Sequence, residues 1–309
     1  MSFSSIIYPS SCDLASIDYT SHKENTMKEL KDKVAVITGA ASGIGRAMVD
    51  RFAREGMKIV LADIEEKALL KTEEELKAAG ATVLPVHTDV TKPEELDALA
   101  KKTIDTFGVV HLVCNNAGVL VAGTDIWDNT LADWKWITNV NMWGMIHGMK
   151  TFVPIMLEQD IECHIVNTAS LAGLVAAPGL GIYSVTKYAI VGLSEVLYHE
   201  LSRRGAKVRV SVLCPSLVNT NLMNADRNRP PELLNEPSEV KLAPEFQAME
   251  QMADQLMQSF PPPQHVADCV CEAVIEDRFY ILPHPEWTPF VQTRMEDIIQ
   301  GRNPTGMML

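Results

Sequence analysis

From Val34 to Pro215 the chain alternates short β-branched apolar runs with longer helical stretches, and this alternation restricts the fold more than any other feature. VAVIT (34–38) reads as a strand from its Val/Ile content, and GIGRAMVDRFAREG as a helix stopped by Gly56. KIVLAD gives a second strand and EEKALLKTEEELKAAG a charged amphipathic helix closed by glycine. TVLPVHTD is strand three, followed by the helix PEELDALAKKTIDTFG with Pro93 in its first turn. HLVCNNAG is strand four, TLADWKWITNVNMWGMIHGMKTFVPIML one long helix, and HIVNTAS strand five. GIYSVTKYAIVGLSEVLYHELSRRG is helix five and VRVSVLCP strand six. Strands apolar on both faces, joined by helical crossovers, specify a parallel sheet covered on both sides. The expected fold class is α/β: a single doubly wound, Rossmann-type parallel sheet with ligands at the carboxyl ends of its strands.

After Pro215 the alternation stops. The polar, proline-bearing stretch that follows is too long for a simple connector and reads as a lid over a site, spanning 219–262. Within it Phe246, Met249, Met252, Leu256 and Phe260 fall at helical spacing, giving one apolar face for the sheet, another subunit or a substrate. FYILP (279–283) reads as a last short strand, and a helix around Pro289 to Ile299 lies in a C-terminal extension, 284–309. Residues 1–26 are serine-rich and aperiodic, without the build of a signal peptide or presequence, and read as a disordered tail before a single domain, 27–309.

Net charge is −13, which repels nucleic-acid phosphates and anionic membrane surfaces and argues against either partner. No apolar run is long enough to span a bilayer. The six cysteines form no CxxC pair, and Cys114 and Cys214 sit in apolar runs as buried thiols, which points to a reducing, cytoplasmic setting. The histidines show no metal-ligand spacing, so no metal is expected.

Between strand one and its helix stands TGAASGIG. Gly39, Gly43 and Gly45 let the backbone turn tightly and approach a pyrophosphate at the helix N-terminus. The spacing is neither G-x-G-x-x-G nor a Walker loop. Asp63, at the end of strand two, is placed to bind adenosine ribose hydroxyls and to repel a 2′-phosphate. Ile64 follows where an arginine would favour NADP, and Arg46 and Lys67 are the only nearby cations. NAD is therefore preferred over NADP. A helix N-cap is the plainer role for Asp63, and the two coexist.

YSVTK (183–187) alone is a helical tyrosine with a lysine one turn later, and Tyr188 and Tyr198 on the same helix lack that lysine. Together, however, the motifs from about Lys31 to Thr220 resemble the short-chain dehydrogenase/reductase family. TGAASGIG is similar to its TGxxxGxG loop, with Thr38, Gly39, Ser42, Gly43, Ile44 and Gly45 toward the cofactor. Asp63 and Ile64 stand at the ribose, Asp89 and Val90 match its adenine edge, and Asn116, Ala117 and Gly118 of NNAG line the cofactor. Asn141, Ser170, Tyr183 and Lys187 match its catalytic tetrad. Its Pro-Gly after strand six is Pro215-Ser216 here, with Val218 and Thr220 where the nicotinamide carboxamide is held.

The resemblance implies hydride transfer between an alcohol carbon and nicotinamide. Tyr183 would be general base in oxidation and acid in reduction, its pKa lowered by Lys187 and the oxidised nicotinamide. Ser170 would orient the substrate oxygen, Lys187 would also bind the nicotinamide ribose, and Asn141 would hold a relay water. It also implies a homodimer or homotetramer through the long fourth and fifth helices. The C-terminal stretch resembles the branch that oxidises hydrophobic and aromatic secondary alcohols. The lid's Met/Leu/Phe content and the apolar loop Leu171 to Leu180 suggest a small-to-medium hydrophobic alcohol or ketone as substrate. An NADP-dependent carbonyl reductase and a dinucleotide sensor without turnover are the alternatives.

Overall fold

A computed structural model describes residues 27–236 and 260–305. The expected tail at 1–26 and the apolar positions Phe246 to Leu256 lie outside them. Seven strands form one all-parallel sheet: β1 (Val34–Thr38), β2 (Lys58–Asp63), β3 (Val83–His87), β4 (Leu112–Asn115), β5 (Cys163–Thr168), β6 (Val208–Leu213) and β7 (Tyr280–Ile281). Their order is β3-β2-β1-β4-β5-β6-β7, the doubly wound order, with its reversal between β1 and β4. A crevice opens at the carboxyl ends of the strands at such a reversal.

Alternate residues of a strand point to opposite faces, and β1 shows how both are buried. Ala35 and Ile37 join the core on one side with Met48 and Phe52, while Val34 and Val36 join Leu99 and Phe152 on the other. Crossover helices α1 (Gly43–Arg54), α2 (Glu66–Ala78) and α3 (Pro93–Phe107) follow the first three strands. Edge strand β3 contains Pro85, paired with Leu61 of β2.

Two elements differ from the sequence expectation. The single long helix expected over 130–157 is α4 (Leu131–Ile137), a π-helical segment Thr138–Trp143, and α5 (Gly144–Gln159). A capping box fixes the start of α4: Thr130 accepts from Asp133 N–H, and the Asp133 carboxylate accepts from Thr130 N–H. The π segment inserts a wider turn around Asn141, and such insertions recur at functional sites. After α6 (Gly181–Arg203), a further helix absent from the sequence expectation, α7 (Pro263–Glu276), lies against α1. Val266, Val270, Cys271 and Val274 enter the same core as Met48 and Phe52, and Arg51 pairs with Asp268 at 2.8 Å. The terminal helix α8 is Thr288–Gln300. Among the described residues no helix is long and apolar enough to cross a membrane.

Candidate active site

The turn between β1 and α1 takes the shape its glycines permit. Gly39 and Gly43 have φ of 66° and 54°. At Gly45 a Cβ would lie 1.9 Å from the Gly39 carbonyl oxygen, so only glycine fits. Ser42 leaves the helix N-terminus without a side-chain cap, and Ser42, Gly43 and Ile44 line the groove there. Asp63 braces this turn: its carboxylate accepts from Ala41 N–H at 2.8 Å and from Glu65 N–H at 2.9 Å. Burial pushes the Asp63 carboxyl upward, and those backbone donors oppose the shift. Asp63 is not the N-cap of α2: Glu65 holds that position, and the Asp63 carboxylate accepts from the Glu65 N–H two residues on, in a turn before the helix. Neighbouring Ile64 is exposed. Arg46 turns away from the ribose end into Asp50, Thr72 and Glu75.

Thr38 ties this turn to the next loop. Its hydroxyl accepts from the N–H groups of Asn116 and Ala117, and its carbonyl accepts from Asn116 Nδ2. Gly118 faces the tetrad, where a Cβ would come within 3.3 Å of Asn141 Oδ1 and 3.7 Å of Lys187 Nζ. The Asn141 side chain pins this loop, accepting from Val119 N–H at 2.8 Å and donating to its carbonyl at 2.9 Å and to Thr186 Oγ1. Its amide thus has partners other than a relay water. Asp89 folds back onto Thr91, while the carbonyl of Val90 meets His147 of α5. Neither they nor Asn141 line the groove that holds Ser170, Tyr183 and Lys187.

Ser170 follows β5, and Tyr183 and Lys187 sit one turn apart on α6. Ser170 donates to the Pro215 carbonyl at 3.3 Å, accepts from Ala172 N–H, and is hydrogen-bonded to the Tyr183 hydroxyl. Lys187 Nζ donates to the Thr168 carbonyl at 2.9 Å and stands 5.4 Å from the centre of the Tyr183 ring. Burial pushes the Tyr183 phenol up to about 12, against the hydrogen bond from Ser170, and brings Lys187 down to about 8. Among the protein's own groups desolvation leads on the tyrosine and outweighs the Ser170 hydrogen bond.

Gly39, Ser42, Gly43, Ile44, Asn116, Ala117 and Gly118 line one groove with Ser170, Tyr183, Lys187, Pro215, Val218 and Thr220. Over it runs the first part of the anticipated lid, a 3₁₀ turn Asn221–Asn228 started by Thr220. Sequence reading missed how this strap is fixed. Arg227 reaches Glu65 through Nε and Nη2 at 3.0 and 2.7 Å, and Asn228 donates to the same oxygen. Farther on, buried Arg229 pairs with Asp133 at 2.7 Å and stacks over Trp136. No local pattern signals these pairs, because the partners are far apart in the chain. The apolar loop from Leu171 does not face the groove: Leu171, Val175 and Ala177 pack on Trp287 and Val291 of the extension. The groove's apolar side comes instead from Val119, Val218, Leu222 and Ala225.

The short chain dehydrogenase family matches residues 33–231, well over half of the chain and all of this site up to the strap. The chain is a short chain dehydrogenase. This dehydrogenase is 45% identical to a short chain dehydrogenase/reductase from Burkholderia phymatum solved in complex with NAD, with a TM-score of 0.86 over 92% of this chain and 100% of that one. It is 36% identical to a CLA biosynthesis dehydrogenase/reductase of Lactiplantibacillus plantarum, over 90% of this chain and 97% of the relative. A C alpha-dehydrogenase of Sphingobium sp. is 32% identical over 90% of this chain and 89% of its own. Like its family, the dehydrogenase is a nicotinamide-dependent oxidoreductase acting on CH–OH groups. Its groove suits a dinucleotide: the Gly39–Gly45 cradle excludes a Cβ, and the uncapped α1 N-terminus suits a pyrophosphate.

Proposed function

We propose that this chain is an NAD-dependent oxidoreductase interconverting a secondary alcohol and a ketone on a small-to-medium hydrophobic substrate. One observation carries the reading: the buried Ser170–Tyr183–Lys187 set opens into the same groove as the glycine turn braced by Asp63. Gly39, Gly43, Ile44 and Gly45 would hold the pyrophosphate, Asp63 the adenosine ribose, Lys187 the nicotinamide ribose, and Val218 and Thr220 the carboxamide. Asp63 leaves no welcome for a 2′-phosphate, and Arg46, engaged with Asp50 and Glu75, offers no compensation. Asp89 and Val90 belong to the adenine edge of this arrangement. The nicotinamide supplies the hydride acceptor or donor.

The protein's own groups manage the proton. Tyr183 is a phenol at neutral pH and is poised to donate its proton to a substrate oxygen as negative charge develops there. In oxidation the same oxygen, once its own proton has passed to solvent water, receives the substrate's hydroxyl proton. Ser170 fixes the substrate oxygen beside the tyrosine, and Asn141 holds the wall at Val119. Hydrophobic substrate choice is supported by the apolar side of the groove at Val119, Val218, Leu222 and Ala225. The named activity of the C alpha-dehydrogenase relative also supports it.

The test is a panel of secondary alcohols with NAD and NADP, followed by absorbance of the reduced cofactor. Tyr183→Phe is expected to keep cofactor affinity and to lose about 10³-fold or more in kcat. Near-normal turnover of that variant would sink the reading. A preference for NADP, unchanged in Asp63→Ala, would overturn the cofactor assignment.

A further inference from the structure

The peptide unit between Pro215 and Ser216 is held at both ends. Its carbonyl accepts from the catalytic candidate Ser170 at 3.3 Å and from Leu171 N–H at 2.8 Å. Its N–H, belonging to Ser216, donates to Nδ1 of His284 at 3.1 Å. His284 lies in the C-terminal extension, is 7% exposed, and is 68 residues away in the chain. An imidazole that accepts at Nδ1 carries its proton on Nε2 when neutral. That Nε2 is buried without a hydrogen-bond partner among the described residues. Leaving a buried N–H unmade is unfavourable, so the ring does not sit there to satisfy its own hydrogen bonds. It is held in place from behind: His265 of α7 donates to the Pro283 carbonyl at 3.0 Å, and its ring meets that of His284 edge-on at 6.3 Å.

A serine hydroxyl has one proton. While Ser170 gives it to Pro215, that proton is withheld from the Tyr183 oxygen, whose deprotonation a hydrogen bond from Ser170 favours. The direction of the Pro215 carbonyl therefore sets the polarity of the Ser170–Tyr183 hydrogen bond. A peptide unit is planar and rigid, so releasing its N–H end lets its carbonyl end swing. We propose that His284 is a positioning residue: its neutral imidazole clamps the Pro215–Ser216 peptide and thereby aims the Ser170 hydroxyl in the proton-transfer pair. Burial, opposed by nearby Glu286 and helped by His265, lowers the proton affinity of His284 and keeps Nδ1 an acceptor. Where the family pattern has glycine, Ser216 has a side chain and a narrower choice of backbone angles, which this clamp fixes.

The inference rests on the reading of Ser170 and Tyr183 as the proton-transfer pair. Its test compares His284→Asn, whose Oδ1 replaces Nδ1, with His284→Gln, which extends toward the Nε2 position, and His284→Leu, which offers no acceptor. Each is made in the full chain and measured for kcat, KM, melting temperature and hydrogen exchange at the Ser216 amide. His284→Asn is expected to stay within about threefold of the parent kcat, and the Gln and Leu variants to lose about ten- to a hundredfold, the scale of a misplaced reacting group. KM for the dinucleotide should change little, and Ser216 exchange should accelerate in the Gln and Leu variants alone. Equal kcat in all three variants, whether kept or lost, overturns the proposal, since a space-filling role would not separate Asn from Gln. Unchanged Ser216 exchange in His284→Leu also overturns it. That readout needs no turnover, so a chain inactive on every alcohol would sink the oxidoreductase reading while the clamp is still decided.

Discussion

At Gly45 a single hydrogen atom in place of a side chain decides whether the nucleotide turn exists. The Gly39 carbonyl stands where a Cβ would be, and it belongs to the backbone, so nothing can rotate aside. Gly45→Ala is expected to cost roughly 1–3 kcal/mol of stability, as for other overpacked sites. It should also weaken dinucleotide binding by at least about tenfold. Thermal melting and calorimetric titration would check both, and a variant that binds like the parent would contradict the cradle. Residues of this kind are legible in sequence because their spacing is local: TGAASGIG, NNAG and YSVTK each announce themselves within a few positions. The state of Tyr183 was not legible. Its pKa is governed by desolvation, and the tertiary packing of α6 on β5 and β6 supplies that, not the lysine one turn away.

Elements were legible where periodicity ran unbroken and hidden where tertiary contacts changed it. The π segment between α4 and α5 leaves no mark in composition, and its Asn141 bonds Val119, a partner 22 residues away. Helix α7 has a regular Val266, Val270, Val274 spacing, but Pro261, Pro262 and Pro263 before it read as loop. The strap from Asn221 to Asn228 is held at its nucleotide end by three donors on one Glu65 oxygen. A hydrogen-bonded carboxylate of this kind contributes about 1.5–3 kcal/mol. Glu65→Gln or Arg227→Ala is therefore expected to speed dinucleotide dissociation about tenfold, read by stopped-flow fluorescence of the reduced cofactor. An unchanged dissociation rate would show that the strap opens elsewhere.

For the whole molecule, two histidines at the sheet give stability a pH dependence. His111 accepts from Val34 N–H at the start of β1, and burial lowers it to about 4. His164 is buried in β5 against Ser211, and burial lowers it to about 3. Both folded values lie below the unfolded value near 6.5, so the unfolded chain binds more protons in this window. Stability is then fully present above about pH 6.5 and is lost as pH falls toward 4 and 3. Urea midpoints measured from pH 7 to 4 should fall steadily, and His111→Asn, which keeps an acceptor for Val34, should flatten the fall. A parent midpoint that does not change would count against both assignments. Pro85 acts on the same scale in a different way. Thr88 N–H points inward to the Asp63 carbonyl, so by the two-residue period of a strand the nitrogen of residue 85 points outward. The edge of β3, outermost among the described strands, therefore lacks a donor at its middle residue, and a stray strand laid there finds a broken template. A proline in the middle of a strand, unhelpful to pairing, thus makes that edge a poor seed for polymerisation.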